Sequence, residues 1–545
     1  MVMKVQTDND FMYFGLLTSE QRDALLRLQQ AVKVKNGYRI PLNVWSAREV
    51  WQQFPQVREE MERVGKKLKR EVDDLTKARL LSETPAIHER AHYHDNLRGY
   101  QNADIFYLKH LPAAGVFNEQ RTGKTPTVIH LLRQVFKKDY GDKAVIVTPA
   151  SLIYNWQREI EKWTPDLKPR IITGTKAKRE KGYAEFRSGV LIISKDTLKQ
   201  DIERITQEFD VIIVDEAHFL RNYKTAQSKA VFRLKGKRRY ALTGTPTVKH
   251  PVEIFGILHF LYPSKYPSFW QFADRYFNIG DNYAGYKEVL TPKRERLDEL
   301  QQIVGILSVQ RKRREVMQWL PEKERSTFYC EMTSGQRKAY DEMLQYFFVE
   351  ETELDAPSVL AQLIRLRQIC LDPTLLGIDA PSGKTDALME WLTESLPKGE
   401  GVVIMSMFTS YLKMIFAKLS EKGFRVGMIH GEMDNEDKMK EAEKFQNGEI
   451  DILLCNIISA GTGFTLDRAE VVIFTDKAYN PAENEQAEDR ITPTTPDKVH
   501  KHSIISFVSQ NSVDERINEL LDKKKSLTDL INEGGLKAIK NLLQL

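Results

Sequence analysis

Only three cysteines, Cys330, Cys370 and Cys455, occur in 545 residues, and they are widely spaced. That scarcity excludes a disulfide framework and a cysteine-based zinc site, and it fits a reducing compartment. No run approaches the roughly 18 apolar residues of a membrane span, and the first ten residues lack the apolar core of a secretory signal. Glycine (29) and proline (21) are too few for a fibrous repeat or a disordered chain. A dominant charge is missing as well. The 81 Lys and Arg against 76 Asp and Glu leave a formal excess of only +5. So small a sum does not identify a nucleic-acid binder, because a local basic groove can hide inside it. These absences leave an intracellular, cytoplasmic protein whose length predicts three or four domains at roughly 150 residues each.

What is present changes in texture along the chain. Residues 1–90 read as mainly helical and charged: a helix from Ser19 capped by Thr18 or Ser19, an extended Tyr38-Arg-Ile-Pro-Leu, a second helix capped by Ser46, and a long charged helix over Val57–Leu80. From Leu97 onward, short Val/Ile-rich runs alternate with helical patterns. Ala144-Val-Ile-Val-Thr, Val190-Leu-Ile-Ile-Ser, Val211-Ile-Ile-Val and Arg239-Tyr-Ala-Leu-Thr form one group. Gly401-Val-Val-Ile-Met, Arg425-Val-Gly-Met-Ile, Asp451-Ile-Leu-Leu-Cys, Val471-Val-Ile-Phe and Ser503-Ile-Ile-Ser-Phe form another. Continuous apolar runs of this length suit strands buried on both faces of a parallel sheet. The expected fold class is α/β: two parallel-sheet lobes joined by a helical, charge-dense middle, plus a small mainly helical N-terminal domain.

Gly123-Lys124-Thr125 follows the strand-like Ala113-Ala-Gly-Val-Phe and precedes a helical pattern. A strand, a tight loop and a helix N-terminus let backbone N–H groups face phosphate oxygens. Lys124 would then reach the β- and γ-phosphates and the Thr125 hydroxyl would ligate Mg²⁺. The triplet is short, and a second copy, Gly383-Lys384-Thr385, has no strand before it; there Ser382 reads as a helix cap. The first copy also departs from the usual phosphate loop, with Asn118 at the leading glycine position and Arg121 before Thr122-Gly123. Asp215-Glu216-Ala217-His218 stands directly after Val211-Ile-Ile-Val. A carboxylate pair at the C-terminal end of a parallel strand sits where α/β sheets bind ligands. Asp215 can hold Mg²⁺ while Glu216 orients and deprotonates a water.

In sequence order, Leu97-Arg-Gly-Tyr-Gln101, the 118–125 loop, Val147-Thr-Pro-Ala-Ser-Leu, Asp215–His218, Leu242-Thr-Gly-Thr-Pro246, Arg311–Lys323, Arg365-Leu-Arg-Gln-Ile-Cys370, Ser459-Ala-Gly-Thr-Gly-Phe-Thr-Leu466 and Gln486-Ala-Glu-Asp-Arg490 resemble the motifs of superfamily-two helicases. The branch they resemble is the Swi/Snf group of double-stranded-DNA translocases, over about residues 97–527. The resemblance implies two RecA-like lobes. Residues 1–90 would be an accessory domain, 91–275 the ATP-binding lobe, 276–378 a helical middle and 379–545 the second lobe. It implies ATP and Mg²⁺ as cofactors, with Gln101, Arg121, Thr122, Gly123, Lys124, Thr125, Gly463 and Arg490 contacting nucleotide and Thr125 and Asp215 the metal.

In the same way, Lys124, Asp215, Glu216 and Arg490 would carry hydrolysis, and His218, Thr243 and Gln486 would couple it to movement. Thr148, Ser194, Ser406 and Thr465 would track the backbone of double-stranded or branched DNA without reading sequence. Trp156 reads as core. Gln310-Arg-Lys-Arg-Arg314 reads as phosphate or structural contacts, with nuclear targeting as the other reading. A second arginine expected three residues after Arg490 is replaced by Pro493, which cannot donate to phosphate; Lys498, Lys501 or Arg468 are the candidate substitutes. Residues 32–62 faintly resemble the accessory module of annealing helicases, and the compact body resembles phage or bacterial members. The implied function is an ATP-dependent double-stranded-DNA translocase that remodels DNA. A strand-separating helicase and a low-turnover, ATP-gated DNA clamp are the alternatives.

Overall fold

A computed structural model describes residues 3, 5–7, 11–15, 17–28, 31–34, 37–42, 44–67, 93–136, 142–246, 250–281, 287–320, 323–346, 348–349, 354–355, 358–394, 396, 399–460, 465–493 and 503–523. The chain divides into two compact units, Met1–Val316 and Met317–Leu545. The change of unit therefore falls inside the 276–378 segment.

The first unit opens with a small antiparallel sheet, β1 (Val5–Thr7), β2 (Phe11–Phe14), β3 (Val32–Val34) and β4 (Gly37–Pro41), in the order β1-β2-β4-β3. Helices Ser19–Arg27 and Val44–Gln53 accompany it, and Met12, Phe14, Leu25, Ile40, Val50 and Phe54 form its core. Thr18 caps the first helix reciprocally: its hydroxyl accepts from Gln21 N at 3.2 Å while Gln21 Oε1 accepts from Thr18 N at 3.0 Å. The second helix begins at Val44, two residues before Ser46. The helix expected over Val57–Leu80 is described from 58 to 67, and its remainder lies outside the described residues.

The larger sheet of this unit contains β5 (Ala113–Val116), β6 (Lys143–Thr148), β7 (Pro169–Ile172), β8 (Gly189–Ser194), β9 (Phe209–Val214), β10 (Gly236–Leu242) and β13 (Ser308–Val309). All are parallel, in the order β13-β5-β10-β9-β6-β8-β7. The apolar runs are continuous because both faces are covered. Ala144, Ile146, Val190, Ile192, Val211 and Ile213 point into one core, while Val145, Val147, Leu191, Ile193, Ile212 and Val214 point into the other. The middle is less helical than expected. β11 (Phe277–Asp281) and β12 (Lys287–Pro292) form an antiparallel hairpin, and β13 adds to β5. These strands are short or largely exposed, so they carry no continuous apolar run.

In this unit, Arg275 is 1% exposed and donates to Glu299 at 2.9 Å and Glu49 at 3.0 Å, while Arg296 donates to Glu49 at 2.7 Å. This buried network ties the Val44–Gln53 helix to the helices Phe269–Tyr276 and Arg294–Ile306.

The second unit is built on β14 (Glu324–Cys330), β17 (Gly401–Ser406), β18 (Val426–Ile429), β19 (Ile452–Asn456), β20 (Ala469–Phe474) and β21 (Ser503–Ser509). These are parallel, in the order β14-β21-β20-β17-β19-β18. Two short strands, β15 (Phe348–Val349) and β16 (Leu354–Asp355), pair beside it. Alternation again fills two cores: Val403, Met405, Leu453 and Val472 in one, Val402, Ile404, Ile452 and Val471 in the other.

The second Gly-Lys-Thr triplet begins the helix Gly383–Glu394, and Ser382 Oγ accepts from Thr385 N at 3.2 Å as a cap. Lys384 is buried. Its ammonium pairs with Asp514 and donates to Thr475 O at 2.9 Å, so it serves this unit's interior. Replacing one partner of such a pair strands the other charge. Lys384→Ala is therefore expected to cost about 3–5 kcal/mol, read as an earlier urea transition of the second unit.

Candidate active site

In the first unit β5, β10 and β9 are adjacent, with β6 next to β9. The loops after their C-terminal ends therefore share one sheet edge: residues 118–123 after β5, 215–218 after β9, 243–246 after β10 and the segment after Thr148.

The loop after β5 turns into helix Lys124–Val135 through two left-handed residues, Arg121 (φ 66°) and Gly123 (φ 77°). A Cβ at Gly123 would lie 2.4 Å from Gln101 Nε2, so only glycine fits both the space and the φ. Arg121 holds the same backbone region without that freedom, at a cost of about 1 kcal/mol. Gln101, 4% exposed, accepts from Arg98 N at 2.8 Å and donates to Gly123 O at 3.1 Å. Thr122 is buried, with its hydroxyl on Glu119 O at 2.6 Å and its carbonyl on the Tyr100 hydroxyl at 2.7 Å. Lys124 Nζ donates to Asn118 O at 3.0 Å and Glu119 O at 3.2 Å. Thr125 is half-buried in the first turn of the helix.

A brace that the sequence did not reveal runs under this loop. Phe117 N donates to Val309 O and Glu119 N to Arg311 O, while Glu119 Oε2 accepts from Arg313 N at 2.7 Å. Arg311 pairs with the buried Asp104 at 2.7 Å, and Asp104 accepts from Asn118 Nδ2 at 2.9 Å. The basic run at 310–314 thus contributes a structural strut through Arg311.

Asp215 is buried at the end of β9. Its Oδ2 accepts from Trp156 Nε1 at 2.8 Å and Thr148 Oγ1 at 3.2 Å, and its Oδ1 from Glu216 N at 2.9 Å. Trp156 is core, as expected, but its indole N–H also orients this carboxylate. Burial, reinforced by the Glu216 charge, pushes the Asp215 carboxyl from 3.8 up to about 6, against the opposing pull of the Trp156 hydrogen bond and Lys124. Glu216 holds a left-handed φ of 48°, and His218 Nδ1 lies 3.2 Å from its Oε2. Thr243 is buried on the neighbouring strand end, its hydroxyl accepting from Thr245 N at 3.1 Å.

Three of the hydroxyls expected to track DNA are buried and hydrogen-bonded within their own units. Thr148 is spent on Asp215, Ser194 caps helix Lys195–Asp201 by accepting from Thr197 N at 3.0 Å, and Ser406 donates to the buried Asp476. A buried hydroxyl needs a partner, and each finds it inside its own unit. Thr465 and Gln486 are half-buried, and Gly463, Lys498 and Lys501 lie outside the described residues. Arg490 is half-buried in the turn Asp489–Ile491, and Pro493 is buried. Arg468, a candidate substitute for the second arginine, donates to the carbonyls of Phe445 and Ile450.

Among the described residues no three His, Cys, Asp or Glu side chains gather as a metal site. The donor set around the loop nonetheless fits a Mg–nucleotide. It offers a helix N-terminus, an ammonium already solvated by carbonyls, a hydroxyl and one carboxylate, all hard groups suited to an ion that keeps waters and phosphate oxygens as ligands. In the ligand-free chain the raised Asp215 carboxyl favours folding when protonated, a contribution lost as the pH rises through about 6. A bound cation opposes that proton. Lowering the pH from about 7.5 to about 5.5 should therefore raise the Mg²⁺ needed for half-maximal thermal stabilisation by ADP about fourfold more than it does in Asp215→Asn, where only the terminal phosphate of ADP still titrates.

The SNF2-related domain model matches residues 112–375, and the helicase conserved C-terminal domain model matches residues 383–492. An uncharacterized ATP-dependent helicase of Mycoplasma pneumoniae is 26% identical over 447 residues, covering 79% of this chain and 42% of its own length. The putative ATP-dependent helicase/translocase YwqA of Bacillus subtilis is 28% identical over 467 residues, covering 80% and 48%. The chain thus spans less than half the length of these two relatives. The solved Sulfolobus solfataricus SWI2/SNF2 ATPase core in complex with dsDNA aligns with 83% of this chain and 97% of its own, at 24% identity and a TM-score of 0.39. The chain thus carries an SNF2-related domain followed by a helicase conserved C-terminal domain.

Proposed function

We propose that this chain is a DNA-dependent ATPase that moves along double-stranded DNA and remodels DNA structures. The observation that carries the reading is the shared sheet edge, where the Lys124 loop, the Asp215–Glu216 pair and Thr243 meet at the C-terminal ends of adjacent parallel strands. In this reading Lys124 leaves the carbonyls of Asn118 and Glu119 for the β- and γ-phosphates, and the amides around Gly123 cradle them. Mg²⁺, when bound, would neutralise phosphate charge, held by Thr125 and, through water, Asp215. Glu216 orients and deprotonates the attacking water, its direction set by its left-handed backbone and by the bond from its N–H to Asp215. His218, beside Glu216, and Thr243 report the state of the γ-phosphate. Arg490, on the second unit, supplies positive charge to the γ-phosphate as it departs. We take residues 1–90 as an accessory module and the two parallel sheets as RecA-like lobes that pass ATP energy to the DNA backbone.

Backbone contacts make such binding sequence-tolerant and salt-dependent. ATP hydrolysis titrated with duplex, forked and single-stranded DNA should be stimulated most by the first two, and less so as salt rises. Displacement of a triplex strand without duplex unwinding separates translocation from the strand-separating alternative. Lys124→Ala and Glu216→Gln should each lower turnover by about a hundredfold or more. Robust hydrolysis by Glu216→Gln overturns the mechanism. A second reading, a clamp that holds DNA while hydrolysing little, is favoured by the buried Pro493. Tight nucleotide-dependent DNA retention with negligible hydrolysis would decide for it.

A further inference from the structure

The turn that carries Arg490 is held by charges that the proposed chemistry does not use. Helix Pro481–Glu488 ends on Glu488, and Asp489–Ile491 continues as one tight turn with Arg490 at its centre. Glu488 is 4% exposed and Asp489 8%. Carboxylates this buried require partners, and both find them at the start of β14. Arg325 NH1 and NH2 donate to the two oxygens of Glu488 at 2.6 Å each, and Lys323 Nζ donates to Asp489 Oδ1 at 2.9 Å and Glu488 Oε2 at 3.4 Å. A forked guanidinium on a carboxylate fixes orientation as well as distance. From the other side, Arg490 O accepts from Leu466 N at 2.9 Å.

Two features argue that this is more than a strut. The Arg325 side chain is 56% exposed, so its replacement opens no cavity in the core. Its position in the chain is also suggestive: Lys323 and Arg325 follow within a few residues of Met317, where the second unit begins. On the near side of that boundary Arg311 and Arg313 hold the phosphate loop through Glu119 and Asp104. The connection between units is thus tied at each end to a nucleotide-binding segment.

We propose that Lys323 and Arg325 are positioning residues for Arg490, an ionic clamp that makes the orientation of the hydrolytic arginine depend on how the chain enters the second unit. The proposal rests on the reading of Arg490 given above and adds the residues that aim it.

A double-mutant cycle on the full chain tests it, using DNA-stimulated ATP hydrolysis. Arg325→Ala is expected to lower kcat about tenfold or more with the KM for ATP nearly unchanged, since misdirecting one catalytic group acts on the transition state. Arg490→Ala should lower kcat further. The combined variant should be no slower than Arg490→Ala alone, because a clamp that acts through Arg490 has nothing left to aim. Arg325→Lys, which keeps a cation on Glu488 without the fork, should fall between wild type and alanine and secures the fold where alanine does not. Multiplying effects in the combined variant, or wild-type kcat in Arg325→Ala, would overturn the clamp while leaving Arg490 in its role. Wild-type turnover in Arg490→Ala would instead remove the reading beneath it, and the clamp with it.

Discussion

The geometry of the first unit depends on how one buried carboxylate is held. Asp215 leaves β9 with its amide on Val147 of β6, and its own oxygens gather donors from Trp156, Thr148 and Glu216. Two stretches far apart in sequence, 147–156 and 215–216, therefore agree on the position of one negative charge. The arrangement is not optimal for the empty protein, because desolvation and the adjacent Glu216 charge push the group toward its neutral form. In the proposed function a bound Mg²⁺ would offset this penalty; a carboxylate relaxed in water would have less to gain from the ion.

The two parallel sheets were legible in the sequence, down to the edge strand β18, but the edges β7, β13 and β14 were not. Runs such as Val211-Ile-Ile-Val announce themselves because every residue is covered, and alternation sends them to two cores rather than to solvent. β7, β13 and β14 lie at sheet edges, where one side needs no cover, so their residues read as ordinary mixed sequence. The phosphate loop and the Asp-Glu pair stood out because chemistry requires those residues in that order. What lies behind them did not. Trp156 bonding Asp215, and Arg311 reaching Asp104 across some two hundred positions, are pairings that only the fold brings together.

Hydroxyl residues were the part of the reading that residue type alone left open, for a physical reason. A threonine at the end of a parallel strand can face a ligand or turn back to satisfy its neighbours, and sequence looks the same in both cases. Thr148, Ser194 and Ser406 all turn back. The near-neutral net charge has a related explanation. Many of its charges are consumed internally, as in the Arg275–Glu49–Glu299 network and the Lys384–Asp514 pair, so the total says little about what the surface offers a polyanion.

The pairing of β13 with β5 also bears on how the first unit can be dissected. A fragment ending at Ile306, where the preceding helix stops, would keep all six other strands of the large sheet and still lose the backbone partners of Gly115, Phe117 and Glu119. Such a fragment would also lose Val309 from one core and Leu307 from the side of the other, and would leave the 118–123 loop unsupported. The minimal nucleotide-binding portion therefore extends past Arg313, into sequence that by helix boundaries alone looks like a disposable tail.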